Sequence, residues 1–153
     1  MKNQILHKGE QLLQTLWVGG LLSVGYLAVP ILFHSLDDRR LAGELAGRMF
    51  SAMNVVGFVC GGVLLLSALI AAKGGWLKAR RVQTLLVMLV LVVVGAFVLQ
   101  PMMQDLKATG LPAGSEVASQ FGKLHGISSM LYLVNSLLGI YLVMQSRSDE
   151  QRV

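Results

Sequence analysis

VQTLLVMLVLVVVGAFVLQPMMQ, running from Val82 to Gln104, contains no Asp, Glu, Lys or Arg. A helix rises about 1.5 Å per residue, so this stretch is long enough to cross a hydrocarbon core about 30 Å thick. Lipid offers no partner to backbone amides, which excludes an open strand and leaves a transmembrane helix. Three further stretches, 11–36, 49–72 and 124–146, are equally free of those four residue types. The chain therefore reads as an all-α integral membrane four-helix bundle. It forms one domain over 1–153, with helices at about 11–34, 48–72, 82–104 and 116–146.

Composition agrees. Of 153 residues 54% are hydrophobic and 14% charged, and the mean hydropathy is +0.65, a balance that argues against a water-soluble domain. The first apolar run exceeds a signal-peptide core in length, and ILFHSLDD after Pro30 offers no small-x-small cleavage pattern, so it is expected to remain as helix one. The single cysteine, Cys60, has no partner for an internal disulfide and lies inside the second apolar run.

Orientation follows from Lys and Arg. Lys2, Lys8, Lys73, Lys78, Arg80, Arg81, Arg147 and Arg152 fall on one side of the weave, against Arg39, Arg40, Arg48, Lys107 and Lys123 on the other. The positive-inside rule then places both termini in the cytoplasm of a bacterial inner membrane. The net charge of +5 is explained by topology, with the lipid bilayer as partner and no nucleic acid.

Local signals refine the helices. Trp17 is expected at the cytoplasmic interface, and Gly57 and Gly61 form a GxxxG pair suited to close helix contact. Pro30 should bend the last turn of helix one, and Pro101 should end helix three, whose nearly uniform apolarity marks it as the most lipid-exposed member. Asp37 or Asp38 and Ser115 are candidate N-caps. Aligning Pro30 with Pro101 also pairs Ala42 with Ala113, Gly43 with Gly114 and Phe50 with Phe121, a faint echo of two helical hairpins in which Asn54 corresponds to His125.

Helix four carries the most informative pattern. At 100° per residue His125, Ser128, Ser129, Tyr132, Asn135, Ser136 and Gly139 share one arc, which lipid cannot satisfy and which should face the bundle. Interhelix packing is the plain reading. The sharper one makes His125 the head of a site, with His34 and Asn54 brought near it by the topology. Imidazole and thioether together suit Cu(I), so His34, His125, Met53, Met102 and Met103 form a candidate copper set. His34 and His125 could alternatively ligate haem b. No cofactor is expected on the plain reading. No carboxylate is expected inside a helix and no hydrolase spacing occurs, which disfavours an enzyme; a small-solute or metal transporter would need oligomers.

The combination LWVGG (Leu16 to Gly20), VPILF (Val29 to Phe33), LAGELAGRMF (Leu41 to Phe50) and LHGISSMLYLVNSLLG (Leu124 to Gly139) resembles the transmembrane-protein-205-like family of small four-helix membrane proteins, itself of unknown function. LHKGEQLLQTLWVGG followed by VPILFH is more distantly similar to copper-resistance D-type and protoporphyrinogen oxidase J-type membrane proteins. The resemblance implies an intact four-helix membrane domain and supplies no catalytic residue. The expected role is a non-enzymatic interaction or accessory component of the envelope, partnered by a second copy or by other membrane proteins.

Overall fold

A computed structural model describes residues 2–72 and 79–150. The basic segment 73–78, which contributes Lys73 and Lys78 to the orientation argument, lies outside the described residues, as does Arg152. Among the described residues all regular structure is helical. Helix α1 is built from Lys2–Ser23, a π-helical turn Val24–Ala28 and Val29–Ser35. Helix α2 is Arg39–Ala71. Helix α3 joins Arg80–Val94, a π-helical turn Gly95–Leu99 and Gln100–Ala108. Helix α4 is Glu116–Glu150. All four are long and apolar enough to span a membrane, with mean hydropathies of 1.7 to 2.8.

The helices run alternately up and down. Helices α1 and α3 each pack against both α2 and α4, closing a four-membered ring in which the start of α1 and the end of α4 lie at one end. The turns at the far end have local causes. Asp38 Oδ1 accepts from the Arg40 and Leu41 N–H groups at 2.8 and 3.1 Å and so starts α2. Gly110 and Gly114 take φ of +84° and +78°, which reverses the chain before Ser115 Oγ accepts from the Ala118 N–H at 3.1 Å.

Neither proline ends its helix. Each stands at the second position after a π-helical turn, where the Val29 N–H donates to Val24 O and the Gln100 N–H donates to Gly95 O, one residue further back than in an α-helix. A proline ring collides with the carbonyl four residues before it; the wider turn supplies room, so the helix continues to Ser35 and to Ala108.

Trp17 also departs from expectation. It is fully buried at the centre of the bundle, because the Gly57/Gly61 pair forms a notch that holds its indole. A Cβ on Gly61 would lie 2.7 Å from Trp17 Cη2, and one on Gly57 would lie 3.0 Å from Trp17 Nε1. The GxxxG pair therefore accommodates a large side chain, where close backbone contact was expected. Around the ring lie Leu21, Leu64, Leu85, Met88 and Val92, with Cys60 beside them, also buried. Helix α3 is accordingly not the most exposed: a third of its most apolar window is buried (33%), against 17% for α1. Lipid gives no hydrophobic drive between helices, so close packing decides which face turns inward, and apolarity all round does not reveal it.

Candidate functional site

The polar arc of α4 divides in two. Tyr132 is half-buried, and Asn135, Ser136 and Gly139 are buried within the bundle. Tyr132 Oη donates to the Leu21 carbonyl at 2.7 Å, just ahead of the first π-helical turn, and so finds a partner that lipid could not supply. Only glycine fits beneath the phenol, since a Cβ on Gly25 would come 2.3 Å from Tyr132 Cε1. Phe50 meets the same ring edge-on at 5.1 Å, and Tyr26 lies at 6.3 Å. Ser136 Oγ donates to its own helix, at Tyr132 O, while Asn135 Oδ1 is buried without a protein partner.

Toward the far end the arc turns outward, contrary to expectation. His125 and Ser129 are exposed; Ser129 Oγ donates to the His125 carbonyl, and the His125 ring stacks on Phe121 at 6.0 Å. The Lys107 ammonium of α3 lies 5.5 Å from the centroid of the same Phe121 ring. His34 is exposed on α1. The methionines do not converge either. Met53 is buried against Gly20 in the core, Met102 is exposed and Met103 only partly covered. Among the described residues no three His, Cys, Asp or Glu side chains come together as a metal site.

Two polar joints went unread in the sequence. At the far half, Asn54 Nδ2 donates to Gln100 Oε1 at 3.4 Å, while Gln100 Nε2 donates to Ser51 Oγ at 2.8 Å and reaches the Gly47 carbonyl at 3.4 Å. Gln100 thus bridges α2 and α3 directly after the second π-helical turn. Near the termini, Arg81 Nη2 pairs with Glu10 Oε2 at 2.8 Å, and Ser67 Oγ donates to Glu10 Oε1. Both charged side chains are less than a quarter exposed (24% and 18%), so one joint ties α1, α2 and α3. Glu10 corrects the expectation that no carboxylate sits within a helix: it immediately precedes the charge-free stretch, and α1 extends well beyond it. The signal was available, since Glu10 and Arg81 each border an apolar run and carry opposite charge.

Chemically the arrangement holds helices together. Each polar group inside the bundle that has a described interhelix bond uses it to join neighbours: Tyr132 for α4 to α1, Gln100 for α3 to α2, Glu10 for all three of α1, α2 and α3. Fold and joints together define a polytopic helical membrane protein with four candidate spans. The chain belongs to the family described as Domain of unknown function (DUF4149), whose model matches residues 12–111, through α1, α2 and α3 and short of α4. No curated protein and no solved structure matches it.

Proposed function

We propose that the chain is a non-enzymatic accessory component of the bacterial inner membrane, with both termini cytoplasmic, that associates through its lipid-facing helices with other membrane proteins or a second copy. The observation that carries this reading is the use of polar side chains within the bundle as interhelix joints, which yields a braced body clothed in apolar residues such as Val59, Leu66 and Ile70. The excess of Lys and Arg on the side of the termini supports the orientation. The resemblance to the transmembrane-protein-205-like family, also four-helix proteins, supports the architecture of the working unit.

A photoreactive residue placed at Val59, Leu66 or Ile70 in cells tests the association. Discrete protein adducts are expected, and adducts with lipid alone at all three positions would refute it. Reporters fused after Val153 and within 108–114 should land on opposite sides, the first cytoplasmic. The copper and haem b readings are tested on the purified protein, where a Soret band or stoichiometric copper lost on His125→Ala would replace the non-enzymatic reading.

A further inference from the structure

We propose that the groove between α2 and α3 at the far end of the bundle binds the headgroup of a phospholipid bearing a primary ammonium, phosphatidylethanolamine. The groove is an open surface cleft of about 450 Å³, lined by Gly47 and by the exposed side chains of Glu44, Arg48, Ser51, Gln104 and Lys107. That volume lies within the range of small-ligand clefts, about 300–1,000 Å³.

Its charges match both halves of such a headgroup. Arg48 and Lys107 present two cations from opposite walls, and Glu44, paired with Arg48 Nη2 at 2.8 Å, supplies one anion. A phosphate diester takes charge-assisted bonds from the guanidinium and the ammonium, while a headgroup ammonium is bound by the carboxylate. Lys107 is held over the groove, its Nζ 3.5 Å from the Gly43 carbonyl. Ser51, whose Oγ accepts from Gln100 Nε2 at 2.8 Å, is the lining residue nearest the apolar part of α2.

Depth selects a lipid over a free phosphate ester. The charge-free stretches begin at Met49 in α2 and end at Gln104 in α3, so Glu44, Arg48 and Lys107 stand at the boundary between hydrocarbon and headgroups. Stepping down the same faces by three or four residues leads from Ser51 to Val55 and from Gln104 through Gln100 to Phe97. Val55 and Phe97 are exposed, 61% and 68%, and Phe97 lies 5.7 Å from Phe58. A polar cleft thus opens onto an apolar track, the order of groups in a phospholipid.

The test is lipid retention by the delipidated full-length protein in mild detergent, read by native mass spectrometry with phosphatidylethanolamine, phosphatidylcholine and phosphatidylglycerol offered singly. The wild-type chain should retain the ethanolamine lipid most, because a trimethylammonium cannot donate to Glu44. Arg48→Gln combined with Lys107→Gln should lower retention by about tenfold or more, the scale of lost charged hydrogen bonds. Glu44→Gln should abolish the preference over phosphatidylcholine and favour anionic phosphatidylglycerol. Should the double variant fold poorly, Lys107→Gln alone, which keeps the Glu44–Arg48 pair, should still weaken retention by about threefold. Equal retention by wild type and these variants overturns the proposal. Displacement of the lipid by glycerophosphoethanolamine at an equal concentration overturns the lipid assignment in favour of a soluble phosphate ester.

Discussion

Gly61→Ala is the sharpest probe of the core, because its neighbour Gly62 provides a matched control. A methyl group on Gly61 would lie 2.7 and 2.8 Å from Trp17 Cη2 and Cζ3 and 2.8 Å from Leu89 Cδ2, whereas one on Gly62 would meet nothing within 4 Å. Favourable carbon contacts lie near 3.5–4.0 Å, so the indole must move by most of an ångström. It has little room to do so: Trp17 is fully buried and its Nε1 edge already rests against Gly57. Both substitutions remove a helical glycine and gain about the same propensity, ~1 kcal/mol, so their difference isolates overpacking. That difference is expected at about 1–3 kcal/mol, near tenfold in the folded population for each 1.4 kcal/mol. The assay is equilibrium unfolding in mixed micelles with rising denaturing detergent, followed by circular dichroism. Trp17→Leu should also be less damaging in the Gly61→Ala background than in the wild type, since the two changes share one contact. Gly61→Ala and Gly62→Ala agreeing within about 0.5 kcal/mol would refute the notch.

Tyr132→Phe removes the bond to the Leu21 carbonyl and should cost about 0.6 kcal/mol, and at most about 1.7, in the same unfolding assay, the average and the maximum for such bonds in membranes; no loss would show that the bond contributes nothing. Glu10→Gln strips the partner from a largely covered Arg81 and should cost about 1–3 kcal/mol, with the exchange Glu10→Arg plus Arg81→Glu recovering part of it; additive losses in the exchange would refute the pairing. Asp38→Ala should cost about 1 kcal/mol by uncapping α2, with Asp38→Asn largely neutral; an equal loss in both would deny the cap. Cys60, buried against the core, should label with maleimide far more slowly in mild detergent than after unfolding in dodecyl sulfate, and equal rates would contradict its placement.

The spans were legible because length and charge depletion act on whole segments: the run at 82–104 could be nothing but a helix in lipid. Asp38 and Ser115 were legible for a local reason, each standing just ahead of its helix with an acceptor within reach of the first turn. What failed depended on partners distant in sequence. Tryptophan prefers interfaces on average, but Trp17 has Gly57 and Gly61 facing it from another helix, and nothing near Trp17 announces them. The inward face of α3 was hidden because Leu85 and Met88, fully buried, are no more apolar than Val90, well exposed. The arc on α4 was sound from Tyr132 to Gly139 and misleading at His125, which is exposed and stacks on Phe121. A side chain at the headgroup boundary can face water, so the rule that polar groups turn inward loses its force there.

The echo between the two hairpins explains how the joints are distributed. The offset that carries Pro30 onto Pro101 also carries the π-helical turn Val24–Ala28 onto Gly95–Leu99, and Trp17 onto Met88, both fully buried. Each of these large residues packs on a glycine of its own hairpin, Trp17 on Gly57 and Gly61, Met88 beside Gly139. The bonds around the wide turns run the other way, between hairpins: Tyr132 of α4 serves the carbonyl of Leu21 in α1, while Ser51 and Asn54 of α2 engage Gln100 in α3. Glycine notches thus serve contacts within and between the hairpins, Gly25 under Tyr132 and Gly139 against Val18 among the latter, while the hydrogen bonds beside the proline-widened turns fasten one hairpin to the other. Asn54 and His125, equivalent by the offset, part company on this point, since Asn54 bonds across to the other hairpin and His125 stacks on Phe121 of its own helix. Any sliding of one hairpin past the other must break the Tyr132 and Gln100 bonds together with the Glu10–Arg81 pair.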